Sequence, residues 1–355
     1  MERPIYYDWN ATSPIHPEVL KVMNFYFSDE FGNAGSRTHI FGLAAKKAVA
    51  QSREKISTIL NAEPSEIIFT SGATESNNIS ILGLMDWARS NNKTKIITTR
   101  IEHKAVLEPV AYLEKIGFDV EYLSTDATGR INPEELKALL DEKTGLVSIM
   151  HVNNETGIIQ PIPECCEILR THDAYFHVDA AQGFAKLIQP LQDRRIDMIS
   201  FCGHKIQGPK GIGGLCIRKR RYKRPPLTPL MYGGGQELGL RPGTLPVALI
   251  AGLSKAAQLI AENNDSWWQE KIEIRKTILS ELNESFILAG DQDHVMPNCI
   301  CAIFPEWDSE AFIMANKERW AISNGSACTS EKIEPSHVLL AMGLDSTNGW
   351  IRFSF

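Results

Sequence analysis

The sequence has no long apolar run. None of its 355 residues falls in a stretch approaching about 18 consecutive apolar side chains, so nothing reads as a membrane-spanning helix and no membrane partner is expected. It lacks a leader as well: the opening MERPIYYDWN has neither an apolar core segment nor a small-residue cleavage site. It lacks an excess of positive charge, since the formal net charge is −6, and no direct nucleic-acid binding is expected. Seven cysteines without regular spacing give neither a disulfide framework nor a metal site; free thiols in a reducing, cytoplasmic setting are expected. The adjacent Cys165 and Cys166, in the helical pattern PECCEILR, read as packing residues. Internal repeats and low-complexity segments are missing too. The one basic run, RKRRYKR at 218–224, reads either as a solvated hairpin edge or as a partner patch.

What remains is ordinary for a soluble globular enzyme: 43% hydrophobic residues, 23% charged, 25 glycines and 18 prolines. The length suits one large domain with a smaller one. From about residue 43 to 225, helical patterns alternate with short apolar strands. LAAKKAVAQSREKISTIL has apolar positions at helical spacing; EIIFT, KIITT, DVEYL, LVSIMHV, AYFHVD, MISFCG and GGLCI read as strands. Such alternation predicts an α/β fold with a mostly parallel sheet covered on both faces. Ligands then sit at the carboxyl ends of the strands. After GLRPGTLPV the texture changes to one or two long helices over 247–287, placing a domain boundary near 245–260.

The chemistry-bearing residues fall just past strand ends. FTSGATESNN offers a Gly-bearing turn at a helix N-terminus near Ala73 and Thr74, an anion site in principle and a common turn in practice. Asp179 closes the buried strand in HVDAAQG, either as a helix N-cap or as the partner of something cationic or hydrogen-bonding. Lys205 stands between a buried strand and a Gly-rich turn in FCGHKIQGPKGIGG, which makes it a candidate Schiff-base amine rather than a solvated charge. His103 and Asn154 follow two further strands. Cys328, in SNGSACTSE, sits among small and hydroxylated residues that give it little cover. A phosphate cradle, a carboxylate, a lysine and a histidine on one sheet are the parts that pyridoxal phosphate needs.

With YYDWNAT, EHKAV, HVNNETG, GGGQELGLRPGTLP and IRFS added, the ordered motifs span the chain. It resembles the cysteine desulfurases of the class V aminotransferase family, among fold type I pyridoxal-phosphate enzymes. The resemblance implies a large cofactor domain over 15–255 with a sheet of the seven-stranded type. It also implies a small α+β domain from 1–14 and 256–355 that carries the Cys328 segment. Lys205 would hold the cofactor and move protons, Asp179 would pair the pyridinium nitrogen, and Gln182 would meet the ring hydroxyl. His103 would stack on the ring and serve in acid–base steps; Ala73, Thr74 and His204 would bind the phosphate. Thr244 would reach the phosphate of a second subunit, which implies a homodimer. Asn154 and Arg352 would hold the carboxylate of L-cysteine, Arg352 as a bidentate clamp. Cys328, on a loop like that of the mobile-loop subgroup, would take the sulfur as a persulfide, leaving alanine. It would pass that sulfur to an acceptor protein serving iron–sulfur clusters, tRNA thiolation or DNA phosphorothioation.

The alternatives are a selenocysteine or cystine lyase of the same family and, from another class, a non-catalytic partner protein. Four positions depart from the family pattern: Cys202 replaces a phosphate-donating serine, and Gln236 and Leu238 replace a histidine and an arginine. Trp9 replaces a smaller or polar residue. Relatives continue past WIRFSF, so a truncated C-terminus is expected.

Overall fold

The computed structural model describes residues 3–282, 285–304, 308–324, 335–344 and 349–355. Twelve strands are described: β1 Ile5–Tyr6, β2 Ile67–Thr70, β3 Lys95–Thr99, β4 Asp119–Leu123, β5 Thr144–Met150, β6 Tyr175–Asp179, β7 Met198–Cys202, β8 Gly213–Ile217, β9 Ile287–Leu288, β10 Cys299–Ile303, β11 Trp320–Ala321 and β12 Trp350–Ser354. Seven of them form the main sheet in the order β2-β8-β7-β6-β5-β3-β4. Strands β4, β3, β5, β6 and β7 run parallel, and β8 is antiparallel to both β2 and β7.

Neighbouring apolar residues within each strand enter opposite cores, as the two-residue period requires. Ile97, Val147 and Ile199 join Val19, Ile56 and Leu253 on one face, where the helices Pro17–Ser28, Ile40–Ile59 and Val247–Glu262 pack. Ile96, Leu146 and Met198 join Ile79 and Val106 on the other, under the helices Ala73–Leu82 and Lys104–Lys115. A sheet buried on both faces needs continuous apolar strands, and these sequences supply them. Cys165 and Cys166 lie fully in the first core.

The small sheet has the order β12-β10-β9 and is antiparallel, while β1 pairs in parallel with β11. Its core joins Ile300, Phe304, Trp320 and Phe353 to Ile278 of the helix Asn264–Glu281. The N-terminal segment thus joins C-terminal strands, and β12 brings Arg352 toward the carboxyl ends of the large sheet.

The basic run is only partly a solvated edge. Arg220 and Lys223 do exchange hairpin hydrogen bonds, but Arg218 is 1% exposed. Its Nη1 donates to the carbonyls of Asp193 (2.6 Å) and Ile196 (3.2 Å), and its Nη2 to those of Leu60 (2.5 Å) and Leu191 (2.7 Å). A guanidinium fits there because its fan of donors answers several converging carbonyls. Arg218→Met would leave them buried and unpaired, so it should destabilise the fold by about 3 kcal/mol or more. Urea unfolding of both proteins checks this; an unchanged midpoint would show the carbonyls find water instead.

Candidate active site

A cavity of about 670 Å³ opens at the carboxyl ends of the main sheet, walled on one side by Asn10, Ala11, Thr12 and Arg352. Ala73, Thr74, His103, Asn154, Asp179, Gln182, Cys202, His204 and Lys205 also line it. Ten residues singled out from the sequence therefore meet in one place. Thr244 does not line this cavity and is exposed. Cys328 lies outside the described residues.

Asp179 ends β6 at 5% exposure. It caps a turn rather than a helix, and its second oxygen meets a neutral amide rather than a cation. Oδ1 accepts from the Ala181 amide (2.9 Å), a turn-capping bond, and Oδ2 accepts from Asn77 Nδ2 (2.7 Å). The carboxylate is fixed from two sides. Gln182 donates Nε2 to the Asn10 carbonyl (3.0 Å), while its Oε1 is buried without a partner among the described residues.

The helix Ala73–Leu82 starts at Gly72 with no side-chain cap, so its first-turn amides are left for whatever enters the cavity. Glu75 would repel an anion there. Its carboxylate is answered by the Ser71 amide (2.5 Å) and by Arg241 Nε (3.1 Å). Gly213 of β8 permits the close approach of this turn: a Cβ there would stand 2.7 Å from Gly72 Cα.

His103 caps the helix Lys104–Lys115, with Nδ1 accepting from the Ala105 amide (3.0 Å). Burial first, then the charge of Lys205, holds this imidazole below its ordinary value, so it stays neutral. With Nδ1 as acceptor, the ring proton sits on Nε2, which is then a donor. His204 is drawn down to about 4, chiefly by burial. Cys202, at the end of β7, is buried, and burial pushes its thiol up. Buried Glu102, just before His103, is pushed well up by burial, and its Oε1 accepts from the Met150 amide (2.7 Å).

Sequence reasoning missed Asn77, Asn10 and Lys210. Asn77 had a signal: it lies one helical turn after Thr74 on the same face. Asn10 stands inside YYDWNAT, but nothing local shows that its backbone meets Ser354 and its side chain Asn154.

Comparison with known proteins agrees with this geometry. The Aminotransferase class-V family profile matches residues 5–355. A mitosomal cysteine desulfurase of Trachipleistophora hominis is 45% identical, over 96% of this chain and 78% of that protein. The cysteine desulfurase IscS of Vibrio cholerae is 42% identical over 100% of this chain and 88% of its own. The crystal structure of DndA from Streptomyces lividans superposes with a TM-score of 0.85 at 44% identity, covering 97% of each chain.

His151, whose ring packs against Gly183, is fully buried with neither ring nitrogen paired among the described residues, and burial draws it down to about 3. Between that value and the ordinary 6.5, the unfolded chain binds a proton that the folded one refuses. Stability should fall as pH drops through this window. His151→Asn should therefore take up about one proton fewer on unfolding at pH 5. Equal uptake in the two proteins, read from the pH dependence of urea unfolding, would mean the ring is protonated when folded.

Proposed function

The chain belongs to the class-V aminotransferase family and is a cysteine desulfurase, and from that premise we propose that this cavity holds pyridoxal phosphate on Lys205 and takes the carboxylate of L-cysteine at Arg352. The family depends on that cofactor, and the residues present suit it. The uncapped helix at Ala73 and Thr74, with His204 nearby, would take the phosphate. Asp179 would pair the ring nitrogen, and the unpaired Oε1 of Gln182 would accept from the ring hydroxyl. Cys202 is a weaker donor than a serine would be and would add little to the phosphate grip. One observation carries the reading: a doubly anchored carboxylate, a lysine amine and an uncapped helix N-terminus share one cavity.

When bound, the cofactor supplies an electron sink for the pair left when the Cα proton departs. The protein's part is positioning and proton movement. Arg352 would draw in the substrate carboxylate through Nε, which is buried and unpaired among the described residues. Asn154 would support it, its carbonyl accepting from Arg352 Nη1 (3.1 Å). Lys205 Nζ would carry the Cα proton. His103 would act first as a donor from Nε2; accepting a proton requires release of its bond to the Ala105 amide. The thiolate of Cys328 would attack the substrate sulfur. The carbon–sulfur bond breaks with its electron pair on carbon, which takes a proton to give alanine, and the sulfur stays on Cys328 as a persulfide.

Thr244 would serve the cavity of a second copy rather than its own. The segment that carries it also exposes Leu230, Met231, Tyr232 and Leu238, apolar surface that a homodimer would cover. A protein acceptor would then collect the sulfur.

Borohydride reduction followed by peptide mapping should find the cofactor fixed to Lys205, and Lys205→Ala should lose both the label and turnover. A label on another lysine would overturn the assignment.

Cys328→Ser should still shift its visible absorbance on adding L-cysteine while releasing no more than a trace of alanine, because an un-ionised hydroxyl is a poor nucleophile. Alanine produced at near the parent rate would remove Cys328 from the reaction.

A further inference from the structure

Arg352 is 4% exposed, and its guanidinium is held on two sides. Nη1 donates to the Asn154 carbonyl (3.1 Å), and Nη2 meets Asp8 Oδ1 at 2.6 Å. Asp8 follows β1 and bridges to Ser354 of β12. Its carbonyl accepts from the Ala11 and Thr12 amides and from the Tyr6 hydroxyl, so its backbone is fixed. Arg352 lines the cavity and Asp8 does not. The carboxylate therefore stands behind the guanidinium, out of direct reach of a ligand.

We propose that Asp8 is a positioning residue that tempers the Arg352 clamp, keeping its hold on an α-carboxylate loose enough for the product amino acid to leave. The inference rests on Arg352 being the carboxylate clamp. Cysteine and alanine carry the same carboxylate, so any grip there strengthens substrate and product alike. Such uniform binding lowers KM without lowering the barrier, and it holds the product back. A buried guanidinium without a counter-charge would grip strongly, because little water screens it. The Asp8 charge on its far side opposes an incoming carboxylate through that same guanidinium.

The sign separates this role from a structural one. If Asp8 only oriented Arg352, its loss would weaken ligand binding. If it tempers the clamp, removing its charge while keeping its shape must tighten binding. Asp8→Asn does this, leaving an amide oxygen for Nη2 to donate to.

The test is calorimetric titration of the cofactor-loaded protein with L-alanine, and with ethylamine as an amine lacking the carboxylate. Asp8→Asn should bind L-alanine about threefold to tenfold more tightly, with ethylamine unchanged and both KM and kcat for cysteine lowered. Asp8→Glu, which keeps the charge, should stay within about twofold of the parent. Arg352→Gln should bind L-alanine at least about tenfold more weakly. Equal or weaker alanine binding by Asp8→Asn, beside a weakened Arg352→Gln, overturns the inference and leaves the clamp standing. An equal tightening for ethylamine also overturns it. Unchanged alanine binding in Arg352→Gln removes the clamp and the inference together. Should Asp8→Asn not fold, the same titrations on Asp8→Ser decide.

Discussion

A carboxylate at the end of a buried strand organises this molecule. Asp179 closes β6, in the middle of a sheet covered on both faces, where an unanswered charge would cost several kilocalories per mole. Asn77 and the Ala181 amide answer it from two different elements. That requirement fixes the helix Ala73–Leu82 against β6 and, with it, places an uncapped helix start beside the same cavity. One electrostatic demand thus sets an uncapped helix start and a fixed carboxylate on one cavity.

The same rule recurs around the cavity, where carboxylates are set against fixed donors. Glu75 is held by Arg241 and the Ser71 amide, Asp8 by Arg352, and Glu102 by the Met150 amide. The carboxylates around the cavity are therefore each met by a donor. Its open donors, Arg352 Nε and the first-turn amides, are left for ligands. The unpaired Gln182 Oε1 is the matching open acceptor.

The sheet was legible from sequence because burial on both faces leaves a strong local trace. Runs such as IIFT and MISFC are mostly apolar, and the consecutive Ile96 and Ile97 of β3 feed opposite cores. The motif residues Asp179, Lys205, His103 and Arg352 were also legible, and the fold brings them to one cavity. Pairings between distant segments were not. Asp8 meets Arg352 across almost the whole chain, and no local pattern encodes that. Arg218 misled for the opposite reason: a run of like charges looks solvated, yet tertiary packing buried one member among converging carbonyls. Asn77 lay in plain view within a quoted motif, and its role appeared only once Asp179 stood opposite.

The central claim is that this cavity removes sulfur from L-cysteine and returns the carbon skeleton protonated. The direct measurement is product stoichiometry from the purified, cofactor-loaded protein given L-cysteine and excess dithiothreitol. Alanine and sulfide in equal amounts, with no pyruvate, is the expected result. Pyruvate and ammonia accompanying the sulfide, in place of alanine, would mean that the sulfur leaves by elimination, and the account would be contradicted.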